Sequence, residues 1–154
     1  MSQPFEVRED VYISNGGAAR RHGDQFEHVI TLSRDDWGRD DIGSHEHTTQ
    51  HFPLYDGPQN DFEDFKRAVG ATIKAIDTHD GSVLVHCQAG ISRSSTVLIT
   101  ALAEIDDVRF DEAYNEVWNA KPSIAPHPEL RELALEFLDE DGTPFKNPFP
   151  EDHE

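Results

Sequence analysis

The chain has 154 residues, 36% of them hydrophobic, with nine Phe and two Trp, which suits one compact domain and argues against a disordered polymer. Thirty-one acidic residues against 13 basic ones give a formal net charge of −18, which excludes a broad basic surface for nucleic acid. A single cysteine, Cys87, excludes an internal disulfide framework and a cysteine-built metal cluster.

In chain order, Val11-Tyr12-Ile13-Ser14 reads as a short strand stopped by Asn15-Gly16-Gly17. His28 to Leu32 is a second β-rich run, ended by the polar stretch Ser33 to Gly43. His51-Phe52-Pro53-Leu54 predicts a third strand, with Pro53 placing it at an edge or a strand end. A turn-rich link over Tyr55 to Asn60 follows. Phe62, Phe65, Val69, Ile73 and Ile76 then recur at helical spacing and give one apolar face, with Asp61 as a cap or first-turn residue. Val83-Leu84-Val85 is a wholly apolar run, the pattern of a central strand covered on both faces. A helix after Arg93 carries Val97, Leu98, Ala101, Leu102 and Ile105 on its face. Two more amphipathic helices follow, one around Phe110 to Trp118 and one from Leu130 to Leu138 entered through Pro126-His127-Pro128. Strands and helices alternate early and helices dominate late, which predicts an α/β fold around a small, mostly parallel central sheet flanked by helices. Residues 1–154 read as one domain with a core over about 5–140, and 141–154 as a loose acidic tail.

The informative unit is strand, loop, helix: Val83 to Val85, then His86-Cys87-Gln88-Ala89-Gly90-Ile91-Ser92-Arg93, then Ser94 onward. A loop at the carboxyl end of a buried strand, feeding a helix amino terminus, is where α/β folds bind ligands. Helix N–H groups and the helix dipole favour an anion there, and successive loop amides can form an anion-binding nest. Gly90 supplies backbone freedom for turning amides inward. A lone cysteine is commonly an inert core residue, but here the field that holds an anion would also stabilise a thiolate. Six residues on, Arg93 offers a planar fork that matches two oxygens of a phosphate.

His86-Cys87, five residues, then Arg93-Ser94 resembles the signature of the protein tyrosine phosphatase superfamily, and Gln88-Ala89-Gly90-Ile91-Ser92 looks like its dual-specificity branch. Val11 to Asn15 with Ala18-Ala19 resembles that branch's opening strand, His28-Val29-Ile30 its second, and Lys121-Pro122 with the last helix its carboxyl end. The resemblance covers about residues 5–140 and implies a sheet of about five strands. It also implies catalytic roles for Cys87 as nucleophile, Arg93 as phosphate clamp, Ser94 as a donor to the Cys87 sulfur, and Asp56 as the acid that protonates the leaving oxygen. Gln88, Ala89, Gly90, Ile91 and Ser92 would bind the phosphate, or a sulfate in its place. His86 would buttress the loop. No cofactor or metal is implied. Relatives commonly have arginine at Lys121 and asparagine near His127, departures that touch scaffold contacts rather than reacting groups. The family's backup cysteine is absent.

The substrate implied is a phosphorylated protein or peptide, as phosphotyrosine or phosphoserine/threonine. A phosphoinositide, nucleotide or RNA 5′-phosphate is the alternative with the same chemistry, and a phosphate-binding module without turnover the alternative without it. The uncharged Gln88 and Ile91 favour a phosphorylated side chain. His45, His47 and His51 have the composition of a metal site, but the resemblance sets them on the solvent side of the acid loop. Acidic residues run along the whole chain, and only Lys66, Lys74, Lys121 and Lys146 are lysines. Such diffuse charge points to high salt, where ions screen self-repulsion, and hence to a halophilic source. No apolar run is long enough to span a membrane, and residues 1–10 lack the basic and apolar regions of a secretory signal, so a cytoplasmic location without membrane association is expected.

Overall fold

The computed structural model describes residues 3–33, 48–55, 59–78, 81–88 and 91–140. Among them five strands form one sheet: β1 (Phe5–Arg8), β2 (Val11–Ser14), β3 (His28–Thr31), β4 (Thr48–His51) and β5 (Val83–His86). Their spatial order is β1-β2-β5-β3-β4. β1 runs antiparallel to β2, and β2, β5, β3 and β4 are mutually parallel. The helices are α1 (Gly16–His22), α2 (Phe62–Asp77), α3 (Arg93–Asp106), α4 (Phe110–Ala120) and α5 (Pro128–Leu138). The small, mostly parallel, helix-flanked sheet expected from the sequence is present.

The pleat sorts the strands' side chains onto two faces. Val11, Ile13, Ile30, Leu32, Val83 and Val85 join the main core with α2–α5, while Tyr12, Val29 and Leu84 pack with Ala19 and Phe26 in a smaller cluster on the other face. α3 is buried continuously from Ser94 to Ala103, so a helix with several small and polar residues becomes the central one of its layer. Its hydroxyls survive burial by bonding within the helix, as when Thr100 Oγ1 donates to the Thr96 carbonyl at 2.7 Å. Three residues outside glycine take positive φ among the described residues, and all are aspartate: Asp10, Asp107 and Asp139. Asp107 and Asp139 are the left-handed C-caps of α3 and α5, where glycine or asparagine is usual.

Three details differ from the sequence expectation. β1 has no counterpart in it. Asn15-Gly16-Gly17 ends β2 as expected and in addition starts α1, a helix with no counterpart in the sequence reading, because Asn15 Oδ1 accepts the Ala18 N–H at 2.8 Å as an N-cap. The edge strand lies at 48–51 rather than 51–54. Residues 52–54 continue beside β3 by alternate bonds, Phe52 N–H to the Thr31 carbonyl at 2.8 Å and Leu54 N–H to the Leu32 carbonyl at 3.1 Å. Pro53, lacking an N–H, occupies the intervening position. Asp61 is the N-cap residue of α2 but makes no side-chain capping bond. The tail beyond residue 140 lies outside the described residues.

Candidate active site

β5 is the middle strand, and the register aligns Ser14, His86, Thr31 and His51 in a polar row across the carboxyl ends of β2, β5, β3 and β4. His86 and Thr31 are fully buried. Thr31 Oγ1 and His86 Nε2 are hydrogen-bonded at 2.9 Å. Burial pushes the His86 pKa down to about 3; a backbone hydrogen bond at Cys87 opposes the shift, and the charges of Arg20 and His51 add to it. His86 is therefore a neutral support at the base of the loop. His51 Nε2 lies 2.6 Å from the Ser33 carbonyl. His45 and His47 lie outside the described residues.

Cys87 leaves β5 into the loop, 1% exposed. Its Sγ is in hydrogen-bond contact with Ser94 Oγ at 3.3 Å. Arg93 and Ser94 open α3, so the dipole of a buried helix points at the sulfur. Among the described residues, the carbonyls of Gln88, Ile91 and Ser92 are turned back into the scaffold. Gln88 O accepts from Gly16 N–H at 2.9 Å, and Ile91 O from Ala125 N–H at 2.9 Å and Ser95 Oγ at 2.6 Å. Ser92 O accepts from Thr96 N–H at 2.9 Å and Thr96 Oγ1 at 2.6 Å. Carbonyl dipoles repel an anion, so engaging these three with scaffold donors keeps them from opposing one. The Ser92 hydroxyl accepts the His127 N–H at 2.9 Å, while the His127 ring caps α5 through Nδ1 and the Glu129 N–H at 3.0 Å. Ala89, Gly90 and the expected acid Asp56 lie outside the described residues.

Arg93 Nη1 donates to the Leu54 carbonyl at 3.0 Å. Among the described residues the contact ties the loop cation to the segment that leads into Asp56. This contact has no signature in the linear chain, since its acceptor is a backbone oxygen. Lys121, expected to make scaffold contacts, is buried and makes them to described residues. It is 7% exposed, its Nζ donates to Ser123 Oγ at 2.7 Å, and it sits over the Phe5 ring at 5.3 Å. Burial lowers its pKa, and the charge of Cys87 opposes that shift. Thr31 was missed too; a single hydroxyl at the end of an apolar strand was its signal.

A buried strand that delivers a cysteine into a loop closed by arginine at a helix amino terminus defines the class of cysteine-based phosphatases. The family model described as "Dual specificity phosphatase, catalytic domain" matches residues 12–139. The chain belongs to that family. MAP kinase phosphatase with leucine-rich repeats protein 3 of Dictyostelium discoideum is 35% identical over 82 residues, covering 53% of this chain and 10% of that protein. Dual specificity protein phosphatase 19 of Mus musculus is 28% identical over 113 residues, covering 73% and 49%. The chain thus spans less than half the length of these curated relatives. Among solved structures, human DUSP28 superposes with TM-score 0.74 at 19% identity over 88% of this chain and 93% of that one. A mouse dual specificity phosphatase complexed with zinc tungstate gives TM-score 0.77 at 22% identity, covering 88% and 86%. Both likenesses concern the fold. Among the described residues no helix is long and apolar enough to cross a membrane.

Proposed function

We propose that the chain hydrolyses phosphotyrosine and phosphoserine/threonine in protein substrates through a phosphocysteine intermediate. The observation that carries this reading is the 3.3 Å contact of Cys87 Sγ with Ser94 Oγ at the buried start of α3, with Arg93 beside it at the exit of the loop. The Cys87 thiolate attacks phosphorus in line; the S–P bond forms as the ester P–O bond breaks, and the proton of Asp56 goes to the departing oxygen. Asp56 then takes a proton from water, whose oxygen bonds to phosphorus while the S–P bond breaks and the thiolate returns. Arg93 and the amides of Gln88, Ala89, Gly90, Ile91 and Ser92 stabilise charge on the three equatorial oxygens. Ser94 donates to the sulfur as it leaves. Phosphate or sulfate is the anion that suits the loop; the zinc tungstate complex of the mouse neighbour involves another tetrahedral oxyanion and supports that choice. The diffuse acidity supports a salt-rich working environment in the cytoplasm.

Phosphate release from p-nitrophenyl phosphate and a phosphopeptide panel in molar salt tests the reading, with Cys87→Ser alongside. Turnover is expected on both substrate types and is lost in Cys87→Ser. Hydrolysis that survives the substitution rejects the mechanism, and turnover confined to phosphoinositides or nucleotides rejects the protein substrate.

A further inference from the structure

The segment carrying Leu54 and Tyr55 is fastened at two successive residues. Arg93 holds the Leu54 carbonyl. One residue on, the Asn60 side chain closes on the Tyr55 backbone: the Tyr55 N–H donates to Asn60 Oδ1 at 2.7 Å, and Asn60 Nδ2 donates to the Tyr55 carbonyl at 2.8 Å. A carboxamide supplies an acceptor and a donor side by side, so the pair of bonds copies the exchange between opposed residues of two antiparallel strands. Asn60 adjoins Asp61, the N-cap residue of α2, and α2 is seated in the core through Phe65, Val69 and Ile76. The amide therefore stands one residue before the cap of a helix anchored in the core. Asp56 follows Tyr55 directly in the sequence.

We propose that Asn60 is a positioning residue for proton donation, its two-bond clasp on Tyr55 fixing the point from which the chain enters Asp56. This inference rests on the reading of Asp56 as the acid. A poor leaving group needs its proton in the transition state and a good one does not, so a loosened acid is felt selectively by the former.

The test compares phenyl phosphate with p-nitrophenyl phosphate for Asn60→Ala and Asn60→Asp, each in the native and the Asp56→Ala background. Asn60→Asp keeps the acceptor and loses the donor. Asn60→Ala is expected to lower kcat/KM about tenfold on phenyl phosphate and less than about twofold on p-nitrophenyl phosphate. Asn60→Asp should fall between, and in the Asp56→Ala background neither substitution should add a further loss. Inhibition by inorganic phosphate should be unchanged. Equal losses on both substrates, or losses that persist without Asp56, overturn the clasp; if Asn60→Ala does not fold, Asn60→Asp carries the same comparison. An Asp56→Ala variant that shows no leaving-group dependence removes the reading of Asp56, and the inference with it.

Discussion

The guanidinium of Arg93 and the carbonyl of Leu54 meet at 3.0 Å, so the loop cation is braced by the segment before Asp56. Lysine keeps the charge at this position but loses the fork. Arg93→Lys is therefore expected to lower kcat/KM by about a hundredfold or more, the equivalent of two charge-assisted hydrogen bonds. Steady-state kinetics with phosphate inhibition checks it: loss confined to turnover, with phosphate binding intact, would contradict a clamping role.

Ser94 Oγ touches Cys87 Sγ, and its proposed donation matters when sulfur departs. Ser94→Ala should slow breakdown of the phosphocysteine more than its formation, lowering kcat by about tenfold or more. Rapid-quench measurement with p-nitrophenyl phosphate should show a burst of nitrophenolate that the native protein lacks. A uniform slowing without a burst would assign Ser94 to formation instead.

His86 is neutral in the fold, with a pKa of about 3 against an ordinary 6.5, whereas the unfolded chain protonates it below about pH 6.5. The unfolded state then binds the extra proton, so stability is fully present above pH 6.5 and declines as pH falls toward 3. The slope from this one residue approaches about 1.4 kcal/mol per pH unit at its steepest. Urea unfolding at pH 7.5, 6 and 5 should show that decline, and His86→Asn should show less of it. An identical slope in the variant would place the acid sensitivity among the other histidines.

Asp107 puts a carboxylate on the left-handed cap at the carboxyl end of α3, where the helix dipole is itself negative. Asp107→Gly removes both the charge and the strain of positive φ. It should raise stability by about 1 kcal/mol at low salt, or about 2–4 °C in Tm. The gain should shrink in molar salt as the electrostatic part is screened. Calorimetry at both salt levels distinguishes this from a salt-independent effect of backbone alone.

Much of this architecture is legible where the pattern is contiguous. Val83-Leu84-Val85 has the pattern of a central strand, and Cys87, Arg93 and Ser94 lie within one contiguous stretch on which the family resemblance rests. β1 escaped because Phe5 to Arg8 is short and Phe5 remains 42% exposed, which leaves no clear apolar face. α1 escaped because Asn-Gly-Gly reads equally as a turn and as a capped helix start. The Leu54 carbonyl, Thr31, Asn60 and Lys121 are beyond a linear reading for a common reason: each acts through a contact made by the tertiary fold or through a backbone atom that every residue possesses.

Among the described residues β5 is the last strand in sequence and the middle one in space, paired to β2 on one side and β3 on the other. Cys87 therefore enters the fold as a keystone. Its surroundings do not exist until β2 and β3 have been brought together around β5 by long-range, slow-forming pairings. During refolding, burial of the lone thiol should coincide with closure of the sheet, so that protection of Cys87 from an alkylating reagent and recovery of the native loop share one kinetic phase.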